Sequence, residues 1–423
     1  MLELTPILRQ AIVQDIARIA RDKYIFPEKG LATAQTIQSH LEHGDYDAIL
    51  SPYVFADRLT SDLRRASSDQ HWSVQFNATL TSTLYDVEGT SEAELVLLKE
   101  SICRQNFGIA RVEHLVGNIG YVDLHGFTWI GFDGAGESIA ALMQLITHCN
   151  ALIFDMRRNG GGEAETLQVF ISYFVEAEPV LYDSFYYRPS GETQQIWTMP
   201  YVPGKRLPDV PLYILTGGAT VSGGEAFAYI LQSMRRATVI GQKTLGAAHT
   251  TDLDVVQEHF QVEYPSGRSI SPFTQGDWEG VGVIPDIDVP AEEALSVAHL
   301  RALEDLIQSC QDEAIQRELA WDLEIARCSY APVRVNEALL VRYAGRYGDR
   351  TFRIIDGAFA YSRQGNPAVK LVPLAEHRFL YPDGIKFEFT LDEQGQAGSV
   401  VISYRDGRPA ITLARILAAS ILA

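Results

Sequence analysis

Apolar residues in the first 70 positions recur every three or four residues, which is the spacing of one face of an α-helix. A first helix is predicted to begin at Thr5-Pro6, because threonine suits a helix cap and proline suits the first turn. A second helix is predicted from about Leu31 to Gly44, and a third from Ser51-Pro52. We expect these helices to form a small bundle. Its apolar positions include Ile12, Ile16, Ile19, Phe55, Leu59 and Leu63.

The pattern of apolar positions changes further along the chain. A charged helical stretch, Glu92–Gln105, precedes residues 118–290, where strands and helices alternate as in a layered α/β fold. Residues 291–327 have a helical, charged pattern. Beyond Pro332 strand patterns dominate, and Asp356-Gly357 joins two alternating runs in the manner of a β-hairpin.

These patterns predict an α/β protein with four parts. We expect an N-terminal helical bundle over residues 1–75 and an α/β core over residues 76–290. A helical connector over residues 291–330 leads to a C-terminal antiparallel β domain, residues 331–423.

The composition excludes several classes of partner. The formal charge of −19 argues against nucleic acid and against anionic membranes. Met1–Pro6 has neither the basic nor the apolar region of a signal peptide, and no apolar run is long enough to span a bilayer. We therefore expect a cytoplasmic protein, unless a signal has been removed. The composition leaves the oligomeric state open.

The four cysteines are scattered without paired spacing, so we expect free thiols and not a disulfide framework. They are Cys103, Cys149, Cys310 and Cys328. No group of cysteines and histidines has the spacing of a zinc site. The sequence predicts neither a metal nor a cofactor.

Candidate chemistry begins with a serine between an apolar run and a helical pattern. Ser222 is followed by Gly223 and Gly224, and the segment lies between the runs Leu212–Leu215 and Ala226–Met234. A strand-to-helix turn of this kind exposes a hydroxyl, and the backbone N–H groups of a helix N-terminus can stabilise an oxyanion. An ordinary helix-capping serine is the alternative.

A second glycine-rich turn follows a predicted buried strand. Asn150–Asp155 leads into Asn159-Gly160-Gly161-Gly162, and three consecutive glycines allow close approach of a substrate to the backbone. The spacing matches neither of the common nucleotide-binding fingerprints, so phosphate binding fits poorly.

Taken together, several ordered blocks resemble the tail-specific, or C-terminal-processing, serine proteases over about residues 1–290. The branch with tricorn protease and the repeats of interphotoreceptor retinoid-binding protein is the most similar. The resemblance implies a crotonase-like (ClpP/crotonase) core that acts on a peptide or protein substrate. The blocks are Gly117–Tyr121, Asp155–Gly162, Thr220–Ala226, Val239–Gly241 with Thr244–Gly246, and Glu279–Asp286.

The position of the general base differs between this chain and the better-known members of this family. Those members use a lysine in a Thr-Phe-Gly-Lys-Gly-like block. The matching block here, Thr244–Ala248, has alanine at the lysine position, and alanine cannot accept a proton. Lys243 lies nearby on a presumed strand, where its side chain is expected to point elsewhere. We therefore expect no Ser-Lys dyad.

The resemblance to the tricorn-like branch implies a Ser-His-Glu site instead. It assigns Ser222 as the nucleophile, His71 as the base and Glu279 as the group that orients the imidazole ring. Structural roles are the alternatives: His71 could pack under Trp72, and Glu279 could pair with a nearby cation.

Further polar and glycine residues complete the expected site. His249 is the second candidate for the base. His125 is a possible cleft residue with a structural or substrate-contact role, and Glu225 is expected to be structural. The N–H groups of Gly161 and Gly223 are chosen for the oxyanion hole.

Three functions remain open at this level. A serine peptidase, a hydrolase, accounts for the serine, the histidine and the glutamate. A non-catalytic binding module for an apolar, retinoid- or lipid-like ligand accounts for the missing lysine. A crotonase-like acyl-CoA enzyme would need basic phosphate contacts, which this acidic chain does not show.

Overall fold

The computed structural model describes residues 4–78, 92–382, 384–393 and 395–416. It divides the chain into two compact units. The first contains Met1–Glu113 and Gly120–Ala294, and the second contains His114–Ile119 and Leu295–Ala423. The finer division at residues 75, 290 and 330 stays a prediction.

Three helices open the first unit, each with a proline in its first turn. They are α1 (Pro6–Lys23), α2 (Pro27–Glu42) and α3 (Pro52–Ser67). The Thr5 side chain accepts a hydrogen bond from Leu8 N at 3.2 Å, which confirms the predicted cap.

The second helix begins earlier than the apolar pattern indicated. Gly30 lies inside α2, where a Cβ would come within 2.1 Å of Ala20 O on α1. The glycine therefore permits close contact between the two helices and does not mark a helix boundary.

In the described residues of the first unit, four more α-helices and eleven strands follow. The helices are α4 (Glu92–Arg104), α5 (Ala135–Ile146), α6 (Ala164–Tyr173) and α7 (Gly223–Ser233). The strands are β1 (Ser73–Phe76), β2 (Ile109–Leu115), β3 (Ile119–Leu124), β4 (Ala151–Asp155), β5 (Leu181–Tyr187), β6 (Glu192–Trp197), β7 (Leu212–Thr216), β8 (Thr238–Gly241), β9 (Thr250–Val256), β10 (Phe260–Ile270) and β11 (Ile287–Asp288).

These strands form two sheets. The six-stranded sheet has the order β11-β8-β7-β4-β3-β2, and its β11, β8, β7 and β4 are parallel. The second sheet, order β1-β10-β5-β6 with β9 also on β10, is antiparallel. The fold is thus a mixed α/β fold with N-terminal helices, as the alternation predicted.

The six-stranded sheet positions the glycine turn and the serine. Every residue of β4 and β7 is buried, as is usual for parallel strands covered on both faces. Asp155 at the end of β4 is in register with Leu215 of β7. Loops that follow the carboxyl ends of two adjacent parallel strands emerge at the same edge of the sheet, so both glycine-rich turns lie together.

The N-terminal helices share a hydrophobic core with the antiparallel sheet. Ile16 of α1 and Phe55 of α3 are fully buried in the same cluster as Trp72, Phe260 and Tyr264. The segment that follows α3 is thereby anchored beside β10. This anchoring places His71, which precedes the buried Trp72.

The described residues of the second unit form three helices and one antiparallel sheet. The helices are α8 (Ala294–Ser309), α9 (Glu313–Tyr330) and α10 (Glu337–Tyr343). The nine strands are β12 (Gly345–Tyr347), β13 (Arg350–Ile355), β14 (Ala358–Arg363), β15 (Val369–Lys370), β16 (Val372–Ala375), β17 (Arg378–Tyr381), β18 (Ile385–Leu391), β19 (Ala397–Tyr404) and β20 (Ile411–Ile416).

The predicted C-terminal sheet is confirmed. Its strand order is β15-β14-β13-β12-β20-β19-β18-β17-β16. Asp356 and Gly357 both have positive φ, 50° and 73°, as the predicted two-residue hairpin requires. In the described parts of the chain all four cysteines are free thiols, and no helix is both long and apolar enough to cross a membrane.

Candidate active site

Ser222 occupies a strained turn at the start of α7. It is the residue before the helix and has φ 52° and ψ −120°, which a residue with a side chain rarely adopts. Its exposed position follows β7 and the buried Thr220. The prediction that this serine begins a helix is confirmed.

Glu225 fixes the turn that contains Ser222 through hydrogen bonds. Its carboxylate is fully buried and accepts hydrogen bonds from four groups on two segments. The donors are Ser222 N at 2.9 Å, Thr244 Oγ1 at 2.5 Å, Gly246 N at 2.6 Å and Ala247 N at 2.9 Å. Glu225 therefore ties the segment that would carry the family's lysine to the backbone of the serine.

The glycine-rich turn packs directly against Ser222. A Cβ on Gly161 would lie 2.8 Å from Ser222 Cβ and 3.1 Å from Ser222 Oγ, so only glycine allows this approach. A Cβ on Gly223 would lie 3.2 Å from Gly162 N. The two turns are in backbone contact.

The N–H of Gly161 is engaged, which corrects the choice of this residue for the oxyanion hole. It donates a hydrogen bond to Asn159 Oδ1 at 2.8 Å. Asn159 is fully buried, and its carbonyl accepts a hydrogen bond from Val221 N at 3.0 Å. Asn159 therefore joins the two turns, a role that the sequence did not indicate, although asparagine before three glycines is a signal for such a turn.

The ring of His71 is held by two carboxylates on one nitrogen. His71 Nδ1 lies 3.0 Å from Asp69 Oδ1 and 3.4 Å from Glu279 Oε1. Asp69 Oδ1 also accepts a hydrogen bond from His71 N at 3.0 Å. Nδ1 is thereby occupied, which leaves Nε2 as the nitrogen able to take a proton from a substrate or a hydroxyl.

His249 joins the same cluster from the other side. Its Nδ1 lies 3.4 Å from Asp69 Oδ2 and 3.6 Å from Glu279 Oε2. Its side chain is 99% buried, with only 1% exposed. Tyr24 of α1 donates a hydrogen bond from its hydroxyl to Asp69 Oδ2 at 3.0 Å. Asp69 is thus a member of the site that the sequence assignment omitted.

The carboxylates favour the charged form of His71. Burial by itself would lower the pKa of His71, but the hydrogen bonds with Asp69 and Glu279 outweigh it and raise the pKa to about 10. Burial would raise the pKa of Asp69, yet hydrogen bonds from His249 and His71 hold the pKa of that carboxyl well below its usual range. Burial also opposes ionisation of Glu279, and the hydrogen bond from His71 lowers its pKa nevertheless.

Ser222, His71 and His249 line one cavity of about 690 Å³. Ala247, at the position of the family's lysine, is also in its wall. The rest of the wall is mixed. Its large, mostly apolar side chains are those of Leu167, Tyr182, Phe185, Ile196, Ile230 and Trp278, and its polar side chains are those of Glu163, Asp183, Thr250, Thr251 and Ser269.

Other candidates lie away from this cavity. His125 is 42% exposed and pairs through Nε2 with Asp123 Oδ1 at 3.1 Å, so it is not the cleft residue that the sequence offered. Lys243 is exposed and is not among the residues that line this cavity, and its exclusion as the base stays a prediction. Among the described residues, the cavity wall includes neither Glu225 nor Glu279; Glu279 reaches the site through His71.

Comparison with known protein families identifies two matching stretches of this chain. Residues 118–289 match peptidase family S41, and residues 7–102 match the N-terminal domain of Peptidase_S41 in eukaryotic IRBP. A carboxyl-terminal-processing protease from Picosynechococcus sp. is 26% identical over 219 residues, which are 50% of this chain and 48% of that protein. The chain spans about half the length of this curated relative.

Solved structures with a similar course of the chain have low sequence identity. A lipoprotein from Streptococcus agalactiae has a TM-score of 0.44 at 14% identity, covering 72% of this chain and 98% of its own. The photosystem II D1 C-terminal processing protease has a TM-score of 0.44 at 15% identity, covering 67% and 94%. The chain therefore contains a peptidase family S41 domain, residues 118–289, preceded by an N-terminal domain of the same family's type, residues 7–102.

Proposed function

We propose that this protein is a serine peptidase that hydrolyses peptide bonds with Ser222 as the nucleophile and His71 as the general base. The observation that carries the proposal is that both residues line one cavity while two carboxylates orient the His71 ring through Nδ1. Family membership supports a peptide or protein substrate and, for the first unit, a crotonase-like core.

The proposed reaction begins with proton transfer from Ser222 Oγ to His71 Nε2. Oγ attacks the carbonyl carbon of the scissile bond, and the carbonyl oxygen becomes an oxyanion. His71 then gives the proton to the leaving amine, and the C–N bond breaks to leave an acyl-enzyme. Water, deprotonated by His71, then attacks the acyl carbon of the ester. The bond between this carbon and Oγ breaks, the carboxylic acid leaves, and His71 returns the proton to Ser222 Oγ.

Asp69 and Glu279 serve this cycle by stabilising the imidazolium that forms in it. Asp69 is the closer carboxylate, at 3.0 Å from Nδ1, and is also fixed by the backbone of His71. The Ser-His-Glu assignment is thereby extended to Ser222, His71 and the pair of Asp69 with Glu279. The same carboxylates favour a charged His71 in the ligand-free protein, so the base must lose a proton before it acts.

For the oxyanion hole we propose the N–H groups of Gly223 and Gly162. Gly223 follows the nucleophile at the N-terminus of α7, where the helix dipole favours negative charge. Gly162 takes the place of Gly161, whose N–H is used by Asn159, and its nitrogen lies against Gly223.

The alternative function is a binding module for an apolar ligand. The apolar wall of the cavity, with Phe185, Ile196 and Trp278, favours it. The same wall equally suits an apolar side chain of a peptide. The buried carboxylates around His71 have no purpose in holding an apolar ligand, and for this reason we place the peptidase first.

Substitution of the two central residues tests the proposal. With an internally quenched peptide library, Ser222→Ala and His71→Ala should each lower kcat/KM at least about a thousandfold, and the double variant should lose little more, because triad members act as a unit. Lys243→Ala is the matched control and should retain activity. Loss of cleavage in Lys243→Ala but not in His71→Ala would overturn the choice of base. Absence of any Ser222-dependent cleavage, together with saturable binding of retinol or a fatty acid, would establish the alternative.

A further inference from the structure

The side chains of Asp69, His71, His249 and Glu279 lie close enough together to hold a single metal ion. Zinc holds nitrogen and oxygen ligands at about 2.0–2.2 Å in a tetrahedron, which separates neighbouring ligand atoms by about 3.3–3.6 Å. His71 Nδ1 lies 3.0 Å from Asp69 Oδ1 and 3.4 Å from Glu279 Oε1. His249 Nδ1 lies 3.4 Å from Asp69 Oδ2 and 3.6 Å from Glu279 Oε2, so each carboxylate presents a different oxygen to each histidine. The ligand atoms of Asp69, His71, His249 and Glu279 all lie within 4.8 Å of one another.

The surroundings of these groups also fit a metal centre. Ligands in metal sites are oriented by outer hydrogen bonds. Glu279 Oε2 accepts Ala248 N at 2.8 Å and His249 N at 3.1 Å, and Asp69 Oδ2 accepts the Tyr24 hydroxyl at 3.0 Å. Both carboxylates are thus fixed with their oxygens turned toward the two histidines.

The second ring nitrogen of His249 faces away from the other three side chains, towards Asp277. This atom, Nε2, is buried and has no hydrogen-bond partner among the described residues, and a buried polar atom of this kind requires an explanation. The nearest carboxylate oxygen, Asp277 Oδ2, is 3.8 Å away. A histidine that binds a metal usually donates its other ring N–H to a carboxylate, and Asp277 is a carboxylate close to this nitrogen, although 3.8 Å is longer than a hydrogen bond.

We propose that Asp69, His71, His249 and Glu279 bind a divalent metal ion of the zinc class, and that this ion inhibits the enzyme. Two imidazole nitrogens with two carboxylates suit zinc, whereas magnesium and calcium prefer ligand sets made of oxygen. The ion takes the place of the protons on the two Nδ1 atoms, and these protons are released to solvent.

Inhibition follows from the tautomer of His71. A neutral imidazole that gives the lone pair of Nδ1 to a metal carries its proton on Nε2. Nε2 then cannot accept the proton of Ser222, and the nucleophile is not activated. The inhibition rests on the proposed function, whereas the binding of the metal does not.

Cobalt titration tests the binding without any need for activity. Addition of Co²⁺ to the protein after treatment with a chelator should produce visible absorption bands of tetrahedral intensity, and one equivalent of Zn²⁺ should remove them. His249→Ala and Glu279→Gln should each weaken Zn²⁺ binding at least about tenfold, since each loses one ligand. Circular dichroism shows whether each variant is folded. If one of the two variants misfolds, the zinc affinity of the other still tests the site.

A matched control comes from His40, which pairs through Nδ1 with Asp45 Oδ2 at 2.5 Å on the surface. This pair offers only two ligands, so His40→Ala should leave the cobalt spectrum and the zinc affinity unchanged. Absence of tetrahedral bands, or an equal affinity in the wild type and in a folded ligand variant, would overturn the site.

Cleavage assays test the inhibition separately. Zn²⁺ should abolish Ser222-dependent cleavage with the same midpoint as binding, and EDTA should restore the cleavage fully. Tetrahedral bands combined with undiminished cleavage at saturating Zn²⁺ would overturn the inhibition and leave the peptidase intact. If no cleavage exists in any condition, the proposed function fails, and the cobalt result still decides the metal site.

Discussion

Asp69 is the residue that most changes the interpretation of the site. It lies two positions before His71, and its Oδ1 accepts both the backbone N–H and the ring of that residue at 3.0 Å. The local pattern Asp-x-His is a known way for an aspartate to close a turn on its own backbone. The pattern is visible in the sequence, but only the folded structure shows that the Asp69 carboxylate also faces the ring of His71.

Replacement of Asp69 by asparagine should impair catalysis much more than it impairs stability. The amide cannot stabilise an imidazolium as a carboxylate does, and we expect kcat to fall by about two to four orders of magnitude. Steady-state kinetics with a quenched peptide measures the effect. Asp62→Asn is the matched control, because Asp62 is equally buried and accepts a tyrosine hydroxyl, from Tyr46 at 3.1 Å, away from His71. Equal losses of kcat in both variants would contradict the role given to Asp69.

The pH dependence of kcat/KM should reveal the effect of the neighbouring carboxylates on the pKa of His71. Only neutral His71 is a base, and its pKa is raised to about 10, so in chelated buffer kcat/KM should still rise with pH above neutrality. Glu279→Gln removes one carboxylate, lowers the pKa of His71 and should move the rising limb of the profile to lower pH. If the rising part of the pH profile does not move in this variant, Glu279 does not influence the pKa of His71.

The same shift has a consequence for stability. A raised folded-state pKa means that charged His71 stabilises the fold fully below its unfolded pKa of about 6.5, and that this contribution is lost as the pH rises toward the folded value.

At the scale of elements, the site depends on two adjacent parallel strands and on Glu225. β4 and β7 end side by side, which brings the glycine turn and the serine turn into contact. Glu225 in the first turn of α7 then fixes the segment Thr244–Ala247. A buried carboxylate with four donors is costly to alter, because each donor would lose its partner.

Glu225→Gln should therefore lower the free energy of unfolding by about 3 kcal/mol, since the amide presents N–H groups to donors that need an acceptor. Urea unfolding followed by fluorescence measures the change. Glu165→Gln is the control, because Glu165 also lies in the first turn of a helix, α6, but is exposed. A loss in Glu225→Gln no larger than in Glu165→Gln would mean that the four hydrogen bonds contribute little.

At the scale of the whole molecule, each compact unit has a core of its own. The core of the first unit includes Phe154 and Phe227, and that of the second includes Phe352 and Phe389. The second unit is stabilised by aromatic contacts, such as those of Phe389 with Tyr343 at 4.7 Å and with Phe352 at 5.0 Å between ring centroids.

Phe389→Ala should destabilise the second unit by about 3–5 kcal/mol through the cavity that it leaves. Because Ser222 belongs to the first unit, its reaction with a fluorophosphonate probe should persist after the second unit melts. Calorimetry combined with labelling at each temperature measures both. Phe154→Ala is the matching change in the core of the first unit. In this variant the labelling of Ser222 should disappear when the first unit melts. Simultaneous loss of labelling and of the second unit in Phe389→Ala would refute independent cores.

Local sequence determined the elements and the identity of the family. Proline and threonine positions placed α1 and α3, Asp356-Gly357 placed a hairpin, and the glycine-framed Ser222 placed the start of α7. Each of these signals acts over a few residues, through backbone geometry that the residue types themselves impose. The family blocks add order along the chain, and the resemblance based on them is confirmed.

Tertiary structure alone decided which groups meet. Asp69 and His249 are 180 positions apart and approach to 3.4 Å, so neither periodicity nor motif spacing could predict their pairing. The engagement of the Gly161 N–H by Asn159 and the placement of His125 away from the cavity are likewise properties of packing. The sequence therefore predicted Ser222, His71 and Glu279, while the folded chain brought Asp69 and His249 next to His71 and Glu279, because contacts between distant segments depend on how the elements pack.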